Sequence, residues 1–421
     1  MGDGIMDDVR ETIATGTAGA LCRLALCAAV AIACGCSSDD GGGDDGTPGD
    51  QGAAGMGGDG DGDGDGDGDG DGDGDTTTRL TAPLPDGDPI EAPDGEWTWI
   101  DFPETRCMDD SPTGLGVKLN PGSDELLIVI QGGGACFNTT TCLAVANPNG
   151  FNSGALPAVT DVGLLKADDP SNPFADWNMV FIPYCSGDIF TGMALDGSGF
   201  GGRTQAGYHN IRQYLTRLVP TFPNLARIVL SGYSAGGFAA SFNWLQVLEG
   251  WEGVRVDVLN DSGPPMGNDY LTPCLQRRLN ENWNWEPSIP ESCTECDAEA
   301  GNVTEPVLKW SIPYTRQYRH ALVSSTEDSV IKLFFAFGLN DCANVDSLLA
   351  TYPQGLYPEG LQALQETFAD HPGSRQFVIE SNQHVWTTQS PSTVESQGVV
   401  LSDWLDDFLD PDSDWESVTP F

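Results

Sequence analysis

The stretch Ile228-Val229-Leu230-Ser231-Gly232-Tyr233-Ser234-Ala235-Gly236-Gly237-Phe238 constrains this chain more than any other. Its apolar, β-branched opening reads as a buried parallel strand. The run breaks at Gly232-Tyr233-Ser234-Ala235-Gly236, a G-x-S-x-G pattern, and a helix-like segment follows from Ala239 to about Glu249. Strand, sharp turn and helix in that order make the context of a nucleophile elbow. Small residues let the backbone reverse, Ser234 stands at the tip, and the helix turns its positive end toward it. A small-residue turn that merely packs a helix on a sheet would look the same, so the other strand ends must decide.

Those ends can be read off in order. Folded sequence is expected from Gly95-Glu96-Trp97-Thr98-Trp99-Ile100 onward. Leu115–Leu119, Glu125–Gln131, Asn178–Tyr184, Val254–Leu259, Lys332–Phe337 and Gln376–Glu380 read as further strands. Gln205–Val219 and Val394–Leu409 carry helical periodicity. Pro264–Glu327 is irregular and rich in Trp and Cys, so it reads as an insertion over the site. Strands alternating with helices predict an α/β fold with a doubly wound, mostly parallel sheet.

Ligands of such sheets bind beyond the carboxyl ends of the strands. Gly132-Gly133-Gly134-Ala135-Cys136 follows one strand, Ser234 the next, Gly338-Leu339-Asn340-Asp341 a later one and Ser381-Asn382-Gln383-His384 the last. Ser, Asp, His is the chain order of an α/β-hydrolase triad. A serine hydroxyl is a poor nucleophile at neutral pH and needs a base. His384 takes that role, and a carboxylate on its other nitrogen fixes the tautomer. Amides of Gly133, Gly134 and Ala235 are placed to hold the oxyanion. Of the four histidines, His209 falls inside a helix, His320 in an Arg- and Tyr-rich segment, and His371 before its strand. The acid is open among Asp341, Asp261 and Asp346, with Asp341 preferred.

Composition bounds the partners and the compartment. With 63 acidic against 18 basic residues in 421, the formal net charge is −45, which argues against nucleic acid. Carboxylates such as Asp403, Asp406 and Asp407 extend that acidity to the C-terminal end. Leu24–Ala33, preceded by Arg23, is too short to span a bilayer and reads as the apolar core of a signal peptide. Residues 1–33 are therefore expected to be a lipoprotein-type leader, with Cys34 the lipidated residue and Cys36 the alternative. Residues 34–94 are expected to be a disordered acidic spacer, since their Gly/Asp tract, Asp39–Asp75, has almost no hydrophobic residues with which to build a core. Residues 95–421 form the domain. Eight cysteines lie within it, and behind an export signal they read as disulfides. Cys293-Thr294-Glu295-Cys296 has no second C-x-x-C partner there, so no metal site or cofactor is expected.

Four segments carry a resemblance to a known family: Gln131-Gly132-Gly133-Gly134-Ala135-Cys136, Pro183-Tyr184-Cys185-Ser186-Gly187-Asp188, Ser231-Gly232-Tyr233-Ser234-Ala235-Gly236-Gly237 and Asn260-Asp261-Ser262-Gly263. In that order they resemble the pectin acetylesterase / Notum family of serine carboxylesterases. The resemblance implies an α/β-hydrolase-like fold with a disulfide-containing insertion and metal-independent ester hydrolysis outside the cytoplasm. It supports Asp341 as the acid. It suggests the disulfides Cys107–Cys185 and Cys136–Cys142, and leaves Cys274, Cys293, Cys296 and Cys342 open, with Cys274–Cys342 and Cys293–Cys296 preferred. Ala135 and Gln131 depart from the family pattern, which bears on the substrate. The expectation is an exported, membrane-tethered, monomeric esterase that removes O-acyl groups, acetyl first, from a glycan or similar ester. The alternatives are a catalytically silent binding domain and a lipase or protein-deacylating esterase.

Overall fold

The computed structural model describes residue 84 and residues 87–421, apart from 152, 314–317, 348, 370 and 372. The expected leader, Cys34, Cys36 and most of the Gly/Asp spacer lie outside the described residues. The ordered part starts before the expected boundary at 95. Ile90 is buried, and its N–H donates to Thr221 Oγ1 at 2.7 Å.

Eight strands make the central sheet: β1 Thr98–Phe102, β2 Thr113–Lys118, β3 Glu125–Ile130, β4 Asn178–Ile182, β5 Arg227–Tyr233, β6 Arg255–Asp261, β7 His320–Ser325 and β8 Ser374–Ile379. Their spatial order is β1-β2-β4-β3-β5-β6-β7-β8. The pairs β1/β2 and β2/β4 are antiparallel; all pairs from β4 to β8 are parallel. This is the α/β-hydrolase-like sheet expected, with an antiparallel edge.

Alternation within the strands divides the core in two, because successive side chains of a strand point to opposite faces. Ile228 and Leu230 of β5 join one apolar cluster, and Val229 and Tyr233 the other. The first cluster is covered by α1 (Gly207–Thr221), through Ile211, Tyr214, Leu215 and Leu218, and by α2 (Ala235–Gly250). The second is covered by the last helix, Leu401–Leu409, through Leu401, Trp404, Leu405 and Phe408. Truncating a side chain such as Leu230 to Ala at this depth costs about 2–5 kcal/mol.

The segment expected to be an irregular insertion holds more order than that. It contains α3 (Pro273–Trp283) and α4 (Thr304–Ser311), and its end is strand β7. Lys332–Phe337, read as a strand, lies in helix α5 (Ser329–Ala336). A short, mostly apolar run fits either element. The choice is made by Asp328, whose Oδ1 accepts from the N–H groups of Val330 and Ile331, both at 2.9 Å, and so caps a helix. Ile331 and Phe335, four apart, then share the buried face. After α6 (Leu356–Ala369) and β8, Val394–Leu409 is helical only over its second part, α7 (Leu401–Leu409). A short hairpin, Glu395–Ser396 with Val399–Val400, occupies the first.

Four disulfides join Cys107 to Cys185, Cys136 to Cys142, Cys274 to Cys342 and Cys293 to Cys296. The third ties α3 of the insertion to the turn after α5. Among the described residues no helix is long and apolar enough to cross a membrane.

Candidate active site

Ser234 separates β5 from α2 with φ 58° and ψ −123°, a conformation that costs a non-glycine residue about 1–3 kcal/mol and persists only where its surroundings enforce it. The enforcement is visible. A Cβ on Gly232 would lie 2.0 Å from Gly236 O, and one on Gly236 would lie 2.0 Å from Ile130 O. The G-x-S-x-G spacing is therefore a packing requirement of this turn. Ser234 N–H donates to Asp261 O at 2.8 Å, while Ser234 O accepts from Gly237 N–H at 2.9 Å.

The glycine loop after β3 passes against the serine: a Cβ on Gly132 would meet Ser234 Cβ at 2.7 Å and Tyr233 O at 2.5 Å. Gly134, Ser234 and Ala235 line one cavity together. Among the described residues the amides of Gly133, Gly134 and Ala235 donate to no other group, and Ala235, first residue of α2, has no intrahelical acceptor. The loop is held from behind. Cys136 N–H donates to Gly187 O at 2.6 Å, and Cys136 O accepts from Trp283 Nε1 at 2.7 Å and Gln205 Nε2 at 2.9 Å. Gln131 is one of these struts: its Oε1 accepts from Tyr184 N–H at 3.0 Å. Of the two departures expected to affect the pocket, Ala135 lines it and Gln131 does not.

His384 follows β8, and its Nδ1 lies 2.7 Å from Asp328 Oδ2. Asp328 is fully buried and uses its other oxygen to cap α5, so the carboxylate is fixed at both ends. With the Nδ1 proton directed at Asp328, the lone pair of a neutral ring falls on Nε2. Nε2 is buried and takes no hydrogen bond among the described residues.

This geometry corrects the expected acid. Asp341 is 88% exposed, 3.6 Å from Arg277 on the surface. Asp346 is exposed as well. Both follow a helix, and the strand in that part of the sheet, β7, ends three residues before Asp328. Asp261, the third candidate, is fully buried but does not bond the imidazole; its Oδ2 accepts from Trp386 N–H and Thr387 N–H, both at 2.7 Å. Burial pushes its carboxyl up, against hydrogen bonds from Thr387 and Trp386 that lower it. The other histidines lie elsewhere. His320, at the start of β7, is buried against Trp244 and its imidazole pKa falls to about 3. His209 Nε2 meets Glu104 O at 3.1 Å. His371 precedes β8.

A cavity opens to solvent beside Ser234 and Ala235. Phe137, Leu275, Leu279, Trp285, Phe334 and Phe335 give it an apolar wall contributed by the glycine loop, the insertion and α5. Trp283 and Trp285, fully buried edge to face at 5.9 Å, stiffen the insertion side.

Comparison with known proteins adds a family. Residues 96–299 match the model of the pectinacetylesterase family. The palmitoleoyl-protein carboxylesterase NOTUM of Homo sapiens is 32% identical over 211 residues, 44% of this chain and 42% of that protein. The palmitoleoyl-protein carboxylesterase notum1' of Xenopus laevis is 28% identical over 214 residues, 45% and 43%. An inactive palmitoleoyl-protein carboxylesterase, notum1b of Danio rerio, is 33% identical over 90 residues, 20% of this chain and 65% of that protein. The matched part spans less than half the length of the first two relatives.

Proposed function

Residues 96–299 belong to the pectinacetylesterase family, and from that premise we propose that the chain is a serine carboxylesterase whose triad is Ser234, His384 and Asp328. The observation that carries the reading is the 2.7 Å Asp328–His384 pair with its unpartnered Nε2. It sits at the rim where Ser234 is held in a strained turn.

The chemistry follows. His384 Nε2 takes the Ser234 proton as Oγ attacks the ester carbonyl carbon. Asp328 holds the imidazolium that forms. The amides of Gly133, Gly134 and Ala235 receive the oxyanion, and each such donor is worth about 3 kcal/mol in the transition state. Collapse breaks the C–O bond, and the alcohol leaves with the proton from His384. Water then repeats the cycle to free the acid and Ser234.

The apolar wall favours an acyl group longer than acetyl, and in this the reading departs from acetyl as first expectation. Each methylene transferred from water to such a wall gains about 0.8 kcal/mol. Names of the relatives point the same way, since they act on palmitoleoyl esters of proteins. The four disulfides support export, and an anchor at Cys34 belongs to the same proposal. The alcohol component is a glycan or protein hydroxyl.

The test is a series of chromogenic esters from C2 upward, run on the wild type and on Ser234→Ala. The expected result is a kcat/KM that climbs with chain length until the cavity is full, and no turnover in the variant. Turnover surviving in Ser234→Ala overturns the serine mechanism. A sharp optimum at C2 overturns the acyl assignment alone. A silent domain, suggested by the inactive relative, predicts no turnover in the wild type.

A further inference from the structure

His384 does not sit on a strand. It stands in a loop, and in the mechanism proposed above that loop has to be held on the side of the nucleophile. We propose that Asp261 is the positioning residue that ties the histidine loop to the backbone of Ser234. The inference rests on the assignment of Ser234 and His384 made above.

Three consecutive amides after His384 end on the Asp261-Ser262 pair. Val385 N–H donates to Ser262 Oγ at 3.2 Å, and Trp386 N–H and Thr387 N–H donate to Asp261 Oδ2 at 2.7 Å each. Thr387 Oγ1 adds a bond to the same oxygen at 2.8 Å, and Ser262 Oγ donates to Asp261 Oδ1 at 2.8 Å. The main chain of the same aspartate faces the other way, its carbonyl accepting from Ser234 N–H at 2.8 Å. One residue at the end of β6 therefore spans nucleophile and base.

Two features distinguish this brace from ordinary loop packing. Val385 has φ 62° and Ser262 φ 59°, and a β-branched residue adopts that conformation only under constraint. The strained pair are the two ends of one hydrogen bond in the brace. The upstream flank is anchored separately, since Gln383 O accepts from Ser325 Oγ at 2.6 Å. His384 thus lies between two anchors, and removing the Asp261 anchor frees its ring to drift while the acyl cavity stays intact. Displacement by about 1 Å costs on the order of a hundredfold in rate.

The experiment compares Asp261→Asn, Thr387→Val and Thr387→Ser in the full chain, with Ser234→Ala as control, reading kcat, KM and melting temperature. Asn keeps an acceptor but loses the charge, and Val removes one hydroxyl of nearly the same shape. The expected result is a kcat lowered about tenfold or more in Asp261→Asn and about threefold in Thr387→Val, with KM within about twofold of wild type. Thr387→Ser, which retains the hydroxyl, recovers kcat. Wild-type kcat per folded molecule in both variants, with only the melting temperature lowered, overturns the proposal. So does a raised KM at unchanged kcat. If Asp261→Asn does not fold, the Thr387 pair decides by the same criteria. Activity surviving in Ser234→Ala removes the triad reading and this one with it, whereas an inert Ser234→Ala beside fully active brace variants removes this one only.

Discussion

Strand β6 carries two buried aspartates four residues apart, on the same face but at opposite rims of the sheet, and they are neutralised in different ways. Asp257 is met by cations. Arg255 Nε reaches its two oxygens at 2.9 and 2.8 Å and Arg227 Nε lies at 3.3 Å, while the main-chain N–H of Arg319 donates at 2.7 Å. The same arginines fasten the end of α7, Arg227 through Leu409 O at 2.6 Å and Arg319 through Phe408 O at 3.0 Å. Asp261 is met by amides and hydroxyls; among the described residues no cation pairs with it. In a chain with 18 basic residues against 63 acidic ones, three arginines spent at one rim mark it as the fastening rim. The donors to Asp261 at the other rim are uncharged, so in the proposed mechanism this brace sets no cation against the charge that His384 would gain. Coulomb repulsion at that range is worth several kcal/mol in a protein interior.

The contrast predicts which substitutions touch chemistry and which touch stability. Asp328→Asn should give the largest effect, a fall of about 10⁴ in kcat, because the amide favours the wrong tautomer of His384. Asp341→Asn should leave kcat at wild type. Steady-state kinetics on the purified pair checks both, and a fall in Asp341→Asn beside an active Asp328→Asn would reverse the acid assignment.

Asp257→Asn leaves arginines without their buried partner and should destabilise by about 3–5 kcal/mol. Its kcat per folded molecule should be unchanged; urea unfolding with parallel kinetics reads both. Reduced kcat in the folded fraction would mean that the two rims are not separable.

The smallest effect concerns His320, also at the fastening rim. Its folded-state pKa of about 3 lies below the unfolded value of 6.5, so between them the unfolded chain binds the extra proton. Its contribution is present above pH 6.5 and is lost as pH falls toward 3. Melting temperature should therefore drop less steeply with acidification in His320→Leu than in wild type. Parallel slopes would show that His320 does not titrate on unfolding.

How far the sequence reaches can be judged from the same residues. Ser234, His384 and the glycine loop, the proposed nucleophile, base and oxyanion cradle, stand out in the sequence because each is a local pattern placed after an apolar strand. Asp328 does not, for two linked reasons. Apart from Lys332, Ile331–Phe337 is apolar, and such a run does not tell helix from strand. The true strand, His320–Ser325, ends in serines and lies inside the segment that reads as an insertion. Its β-branched centre followed by Thr326-Glu327-Asp328, with a helix start at Ser329, was the available signal. The cap on α5 is what exchanges the two elements and moves the proposed acid by thirteen residues. Asp261 was legible as a strand-end carboxylate but not as a brace, since its partners lie 125 and 126 positions away. Acidity along the chain disclosed nothing of the two rims, because the arginines that separate them are distant in sequence and meet only in the sheet.

Every step of the proposed mechanism starts from Ser234 as a nucleophile activated by His384. An organophosphonate probe, followed by peptide mass spectrometry, tests it most directly. The expected result is a single covalent adduct on the peptide containing Ser234, absent from Ser234→Ala. An unlabelled Ser234 in folded wild-type protein, or an adduct on a different serine, would contradict it.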